Sequence, residues 1–165
     1  MHEAHPRRFE ESVDVDAGAQ DVFAFIDDHA QFSSHMMRPS WRMGGASMRV
    51  SMDDQGGRAV GSHIKMDARM LGVPLALDEI VTRRDPPFAK EWETVGAPRL
   101  VVVGPYHMGI EVEPRGERAR LRVWIDYELP AKRAWLGRLF GAPYARWCVR
   151  QMTGGVREQF APRPA

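Results

Sequence analysis

The feature that most constrains this chain is a two-residue alternation between apolar and charged side chains. In the segment 119–130, ARLRVWIDYELP, one parity carries Leu121, Val123, Ile125 and Tyr127. The other parity carries charged residues, apart from Trp124. Side chains of a β-strand point alternately to opposite faces, so the pattern predicts a strand with one buried face and one solvated face. Such strands are typical of an antiparallel sheet that covers a core on one side.

The same alternation recurs along the chain and is interrupted by turn signals, Gln55-Gly56-Gly57 and Pro86-Pro87 among them. It predicts a first strand over 9–15 and about six further antiparallel strands between residues 44 and 130. Helical spacing of apolar residues predicts two short helices between the first and second strands. A long last helix is expected from Pro143, placed in its first turn, to Phe160, after an irregular or partly helical connector. The sequence thus predicts an α+β fold in which a curved sheet surrounds a long C-terminal helix.

Composition excludes several classes of function. The chain has 165 residues and a formal net charge of +1, whereas a nucleic-acid-binding protein needs a concentrated basic face. Its six histidines and its single cysteine, Cys148, form no cluster with the spacing of metal ligands, so we expect no metal and no cofactor. The N-terminal segment has no apolar core like that of a signal peptide, and no apolar run is long enough for a membrane span. We therefore expect a cytoplasmic protein, monomeric or homodimeric.

Three segments carry a resemblance to a known family: SVDVDAGAQDVFAFIDD at 12–28, DEIVTRRDPPFAKEWETVG at 78–96 and IDYELP at 125–130. From Phe9 to Phe160, the order and spacing of these segments resemble those of the START-like (SRPBCC) superfamily, and in particular of its bacterial polyketide cyclase/dehydrase-like branch. The resemblance implies a helix-grip fold of about seven strands, as one domain over 9–161 with flexible tails at 1–8 and 162–165. It also implies a cavity between sheet and last helix that holds a hydrophobic molecule such as a lipid, a polyketide or a quinone. The family has no shared catalytic motif, so the fold does not decide the function.

The inward parity predicts which residues contact the ligand. Methionine is common among them, and its flexible side chain suits either an adaptable pocket or the gaps of a solid core. Both interpretations stay open at this point. The predicted ligand-binding residues are Met48, Met52, Met66, Met70, Trp92, Tyr106, Met108, Val123, Ile125, Tyr127, Cys148 and Met152.

The best catalytic candidates are Tyr106 and Tyr127, because a buried phenol needs a hydrogen-bond partner and can act as a general acid. A structural role for either tyrosine is the alternative. Lys90 has the same parity as Trp92, and we expect it at the cavity mouth with its ammonium group in water. No activating base is apparent for Cys148, so we do not expect it to be a nucleophile.

Four functions agree with these patterns. The first is binding of a small or medium hydrophobic molecule, with no nucleic-acid partner. The second is a polyketide cyclase or dehydratase that uses the same cavity. The third is a membrane-linked lipid or quinone carrier, in which residues 135–140 form a lid or a transient membrane contact, although a packed connector is expected there. The fourth is a domain with a filled core that holds no ligand and acts through partners. Trp124, together with Val101 and Val103, predicts a small apolar patch on the outer face that could serve as a dimer contact.

Overall fold

The computed structural model describes residues 7–32, 47–70 and 72–162, and within these ranges it leaves out the side chains of Ser47, Met48 and Met70. The predicted ligand contacts of Met48 and Met70 therefore lie outside the described residues. The second half of the predicted second helix does too.

Seven strands and three helices form in the order that the sequence predicts. Both short helices follow the first strand, and the long helix is C-terminal. No helix in the described ranges combines the length and the hydropathy that a membrane-spanning segment needs. The elements are β1 (Arg7–Val15), α1 (Ala19–Asp27), α2 (His29–Phe32), β2 (Ser47–Met52), β3 (His63–Met70), β4 (Val73–Asp85), β5 (Ala89–Thr94), β6 (Tyr106–Arg115), β7 (Arg118–Tyr127) and α3 (Ala134–Gln159).

The strands form one antiparallel sheet with the order β1-β7-β6-β5-β4-β3-β2. Strands β2 to β7 are neighbours in chain order, as expected for strands joined by short turns, and β1 pairs with the far edge of β7. The predicted parity of β7 is confirmed, because Leu121, Val123, Ile125 and Tyr127 are all buried. They form the core together with α1 and the inner side of α3, which packs on β1 and β7.

The last helix starts nine residues before Pro143, so the prediction that Pro143 lies in its first turn is wrong. Two glycines explain why the earlier segment can pack so closely. A Cβ atom at Gly137 would lie 2.4 Å from Cδ of Pro130, and one at Gly141 would lie 3.0 Å from the carbonyl oxygen of Val102. The absence of side chains there lets the first turns of α3 approach the β5–β6 connection and the end of β7.

The predicted outer patch around Trp124 is also wrong. Trp124 is only 7% exposed, because the guanidinium of Arg8 lies 4.7 Å from its ring centroid and the imidazole of His107 packs edge-on at 4.8 Å. The indole of Trp124 lies over Gly109 on the neighbouring strand. A Cβ atom at Gly109 would be only 2.4 Å from the indole, so this packing requires a residue without a side chain. Val103 is buried in the main core. These residues therefore offer no apolar patch for a dimer contact.

Candidate functional site

A row of polar side chains crosses the inner face of the sheet. Glu79 pairs with Thr94 in the β4–β5 register, and Tyr106 pairs with Tyr127 in the β6–β7 register. The backbone N–H of Tyr106 donates a 3.1 Å hydrogen bond to Oγ1 of Thr94, which joins the two pairs across β5 and β6. The strands thus bring four polar side chains together on the inner face of the sheet.

Glu79 is the centre of this row. It is 1% exposed, and its Oε1 accepts a hydrogen bond from the hydroxyl of Tyr106. Among the residues that the structure describes, none is a hydrogen-bond partner of its Oε2. A buried carboxyl oxygen without a partner is costly, and such groups in native proteins call for an explanation.

The environment of Glu79 changes its protonation. Burial raises the pKa of its carboxyl to about 7, because the charged form loses its hydration. The hydroxyl of Tyr106 and the indole of Trp92 favour the ionised form and only partly oppose this effect. Near neutral pH both forms of Glu79 are therefore populated, and the carboxyl can donate or accept a proton.

The long helix faces this carboxyl with Tyr144 and Cys148. Burial raises the pKa of the Cys148 thiol to about 12, so it stays protonated at neutral pH. The pKa of Tyr144 is raised well above its usual value by Cys148 and by burial, and the charge of Glu79 adds to this shift. Burial, with the charge of Glu79, also raises the pKa of Tyr106 well above its usual value. All three side chains therefore present neutral donors around Glu79.

A second buried carboxylate lies further along the sheet and has very different partners. Nζ of Lys90 lies 3.1 Å from Oδ1 of Asp27, and Nη2 of Arg84 lies 2.7 Å from Oδ2. Burial alone would raise the pKa of Asp27, but the hydrogen bonds from Arg84 and the charge of Lys90 outweigh it and lower that pKa. Lys90 is 0% exposed, so the prediction that its ammonium group lies in water is wrong. The carboxylate that binds it comes from the end of α1, which covers this part of the sheet.

His29 is buried beside Trp92 and close to the Asp27–Lys90 pair. Its ring packs edge-on against Trp92, with 5.9 Å between the centroids. Burial and the nearby charge of Lys90 lower its pKa to about 4, so it is neutral at physiological pH. Among the described residues no three His, Cys, Asp or Glu side chains are arranged to hold a metal ion.

Most of the residues predicted to contact a ligand do lie on the inner face. Met52 and Met66 are half-buried near the β2 edge, and Tyr106 is half-buried beside Glu79. The contact of any of these residues with a ligand stays a prediction. The fully buried members of the set are Trp92, Met108, Val123, Ile125, Tyr127, Cys148 and Met152.

The sequence interpretation missed Glu79, Asp27 and Tyr144. A signal for Glu79 was present, because it has the same parity as Leu75, Leu77 and Val81 on β4 and is thus a carboxylate at an apolar position. Asp27 and Tyr144 carry no such signal, since a polar residue at one turn of a helix is ordinary.

Comparisons with known proteins agree with this architecture. The family model described as "Polyketide cyclase / dehydrase and lipid transport" matches residues 6–160. The structure of truncated norcoclaurine synthase from Thalictrum flavum is similar, with a TM-score of 0.68 and 14% sequence identity over 99% of this chain and 100% of that one. No curated protein has a significantly similar sequence.

Two further structures show the same fold at low identity. The di-domain ARO/CYC BexL from the BE-7585A biosynthetic pathway has a TM-score of 0.65 and 16% identity, over 99% of this chain and 52% of that one. Major latex-like protein 151 from Panax ginseng has a TM-score of 0.58 and 12% identity, over 94% of this chain and 98% of that one. The predicted helix-grip fold is confirmed, and the chain belongs to the polyketide cyclase/dehydrase and lipid transport family.

Proposed function

We propose that this protein binds a hydrophobic small molecule between the inner face of the sheet and α3, with a polar group of the ligand hydrogen-bonded to Glu79. The observation that carries the proposal is the buried Oε2 of Glu79, which has no hydrogen-bond partner among the described residues. Burying such a group without a partner costs about 1–3 kcal/mol, and a ligand that supplies the missing partner recovers that free energy. Family membership supports a ligand of this kind.

The surroundings of Glu79 indicate the chemistry of the ligand. Trp92, Met108 and Ile125 are buried on neighbouring strands of the same face and supply apolar surface. Burying the ligand's apolar body there contributes about 25 cal/mol per Å² before ordering costs are subtracted. Because the pKa of Glu79 is about 7, its carboxyl can accept a hydrogen bond from a hydroxyl group or donate one to a carbonyl group.

A matched pair of probes tests this proposal. We expect the protein to bind 2-naphthol about tenfold more tightly than naphthalene, because only the naphthol has a group that can hydrogen-bond to Glu79. Calorimetric titration measures both affinities in the wild type, in Glu79→Leu, and in Glu93→Leu as a control at an exposed position of β5. The preference should vanish in Glu79→Leu and persist in the control. A preference that survives Glu79→Leu, or a wild type that binds neither probe, would contradict the proposal.

The second candidate function is a proton-transfer enzyme of the cyclase or dehydratase type. The pKa of about 7 favours it, because a general acid–base group works best when its pKa is near the working pH. In this function Glu79 transfers the proton, and Tyr106 adjusts and orients its carboxyl. Holding a flexible substrate in a folded conformation would supply much of the remaining rate enhancement.

Turnover and binding separate the two functions. With a linear poly-β-ketone as substrate, an enzyme should lose about 100-fold or more in cyclisation rate on Glu79→Gln, while 2-naphthol binding changes only a few-fold. Tyr106→Phe should lower the rate, and Tyr127→Phe serves as the comparison on the neighbouring strand. If the wild type binds the substrate but does not convert it, the enzymatic function is contradicted and only the binding function is supported.

A further inference from the structure

Three large apolar side chains are exposed within six residues at the start of α3. Trp135 is 62% exposed, Leu139 59% and Phe140 47%. The expectation of a packed connector therefore holds for only one side of these turns, because the other side exposes its apolar side chains. Trp135 and Leu139 are four residues apart on the helix and are therefore surface neighbours. Gly137 and Gly141 form the opposite, buried side of the same turns. We call Trp135, Leu139 and Phe140 the apolar surface of α3.

Basic residues surround the apolar surface of α3. Residues 129–157 contain six of the 23 basic residues of the chain and none of its 22 acidic residues. Lys132, Arg133 and Arg138 are exposed, and in the part of the chain that the structure describes none of them forms an ion pair. The remaining sequence is net acidic, so the near-zero total charge of the chain hides a strongly basic segment.

Helix stability does not explain these charges. The N-terminus of a helix carries a partial positive charge, so basic residues there are unfavourable and acidic ones are favoured. Lys132 and Arg133 nevertheless precede α3 directly, Arg138 is in its second turn, and the first turn contains no acidic residue. An anionic partner would be attracted both by these side chains and by the helix N-terminus.

We propose that the apolar surface of α3 and its basic border bind the surface of a membrane containing anionic lipids. Trp and Phe side chains partition into the interface between headgroups and acyl chains, while Lys and Arg contact anionic headgroups. A second copy of the chain fits less well, because two such surfaces facing one another would bring like charges together. The membrane would supply or receive the hydrophobic ligand, a step that rests on the proposed function, although the membrane contact itself does not.

Sedimentation with vesicles tests the proposal on the full chain without added ligand. We expect binding to vesicles of phosphatidylcholine mixed with phosphatidylglycerol, much weaker binding to phosphatidylcholine alone, and a decline as salt is added. Trp135→Ser with Phe140→Ser should weaken binding to the mixed vesicles at least about tenfold. Arg133→Glu with Arg138→Glu should weaken it and remove most of the salt dependence.

Matched controls come from exposed positions elsewhere. Phe88 is 48% exposed in the turn between β4 and β5, so Phe88→Ser removes a similar side chain from another surface. Lys65→Glu with Arg69→Glu makes the same charge change on exposed positions of β3. Both controls should bind like the wild type, and circular dichroism checks that every variant is folded. Absence of wild-type binding to the mixed vesicles would overturn the proposal, as would equal loss in controls and variants. Self-association that Trp135→Ser with Phe140→Ser abolishes would assign the surface to a second copy instead.

Discussion

Two carboxylates are buried within the described ranges, and their surroundings differ in kind. Asp27 accepts hydrogen bonds from Lys90 and Arg84, and its pKa is lowered because these two cations outweigh the effect of burial. Among the residues that the structure describes, no cation is bonded to Glu79, and burial raises its pKa to about 7. Asp27 is thus stabilised as an anion that ties α1 to the sheet. Oε2 of Glu79 has no hydrogen-bond partner among the described residues, and the functions proposed above depend on this difference between the two carboxylates.

The largest expected effect comes from breaking the satisfied cluster. Lys90→Met leaves the Asp27 carboxylate with Arg84 alone, and losing one partner of a buried pair costs about 3–5 kcal/mol. Urea unfolding measures this loss in the free energy of unfolding. Arg83→Met, which removes an exposed cation paired with Glu91, is the control and should cost less than about 1 kcal/mol. Equal losses in both variants would show that the buried cluster does not hold α1 in place.

The next effect is a pH dependence that belongs to Glu79. Its folded pKa of about 7 lies above the ordinary 4.5, so its contribution to stability is present below pH 4.5 and is lost as the pH rises through 7. Relative to Glu79→Gln, the wild type should lose about 3 kcal/mol in its free energy of unfolding across this window. Urea unfolding at a series of pH values measures the difference.

The pH dependence of stability that Asp27 contributes has the opposite sign. Because its pKa is lowered in the folded protein, its contribution is present above its ordinary pKa and is lost only as the pH falls through the lowered value. Asp27→Asn should therefore change the stability profile at acid pH, whereas Glu79→Gln changes it between pH 4.5 and 7. If the two variants shift the same part of the profile, the contrast between the two carboxylates is wrong.

The smallest expected effect is that of removing the Tyr106 hydroxyl, and it tests how this group acts on Glu79. Its hydroxyl donates to Glu79, so Tyr106→Phe should cost about 1 kcal/mol of stability and raise the pKa of Glu79 further. A carbon NMR titration of the labelled Glu79 carboxyl measures that pKa. Tyr127→Phe, on the adjacent strand, should leave it unchanged. Equal shifts in the two variants would mean that Tyr106 acts on Glu79 through the general packing of the sheet.

The predicted architecture was correct wherever one local period governed a whole segment. Alternation and turn residues were enough to predict the order of the elements and which side chains of β3 and β7 face inward. They also predicted the inward position of Tyr106 and Met108. The start of α3 was predicted too late, because proline at 143 suggested a first turn. How closely the preceding segment can pack depends on Gly137 and Gly141, which lie against residues distant in sequence.

The contact partners of the polar residues could not be predicted in the same way. The ladder between β4 and β5 shifts at Val81 and Arg83, and beyond this irregularity Arg84 pairs with Lys90. Arg84 and Glu79 therefore both project inward, although their positions differ in parity. Simple alternation would have placed them on opposite faces. The shift places Arg84 beside Lys90, which faces inward like Trp92 on β5, and both cations contact the Asp27 carboxylate at the end of α1.

The sequence by itself determined the seven antiparallel strands, the helices around them and the apolar inner face, because these depend on local period. Only the tertiary structure decided that Asp27 is paired with Lys90 and Arg84 and that Trp135 and Phe140 are exposed. It also decided that Oε2 of Glu79, beside Tyr106, finds no hydrogen-bond partner in the described part of the chain. The physical reason is that the free energy of a buried charge depends on which groups, distant in sequence, the fold brings within a few ångströms of it. Local periodicity carries no information about those groups.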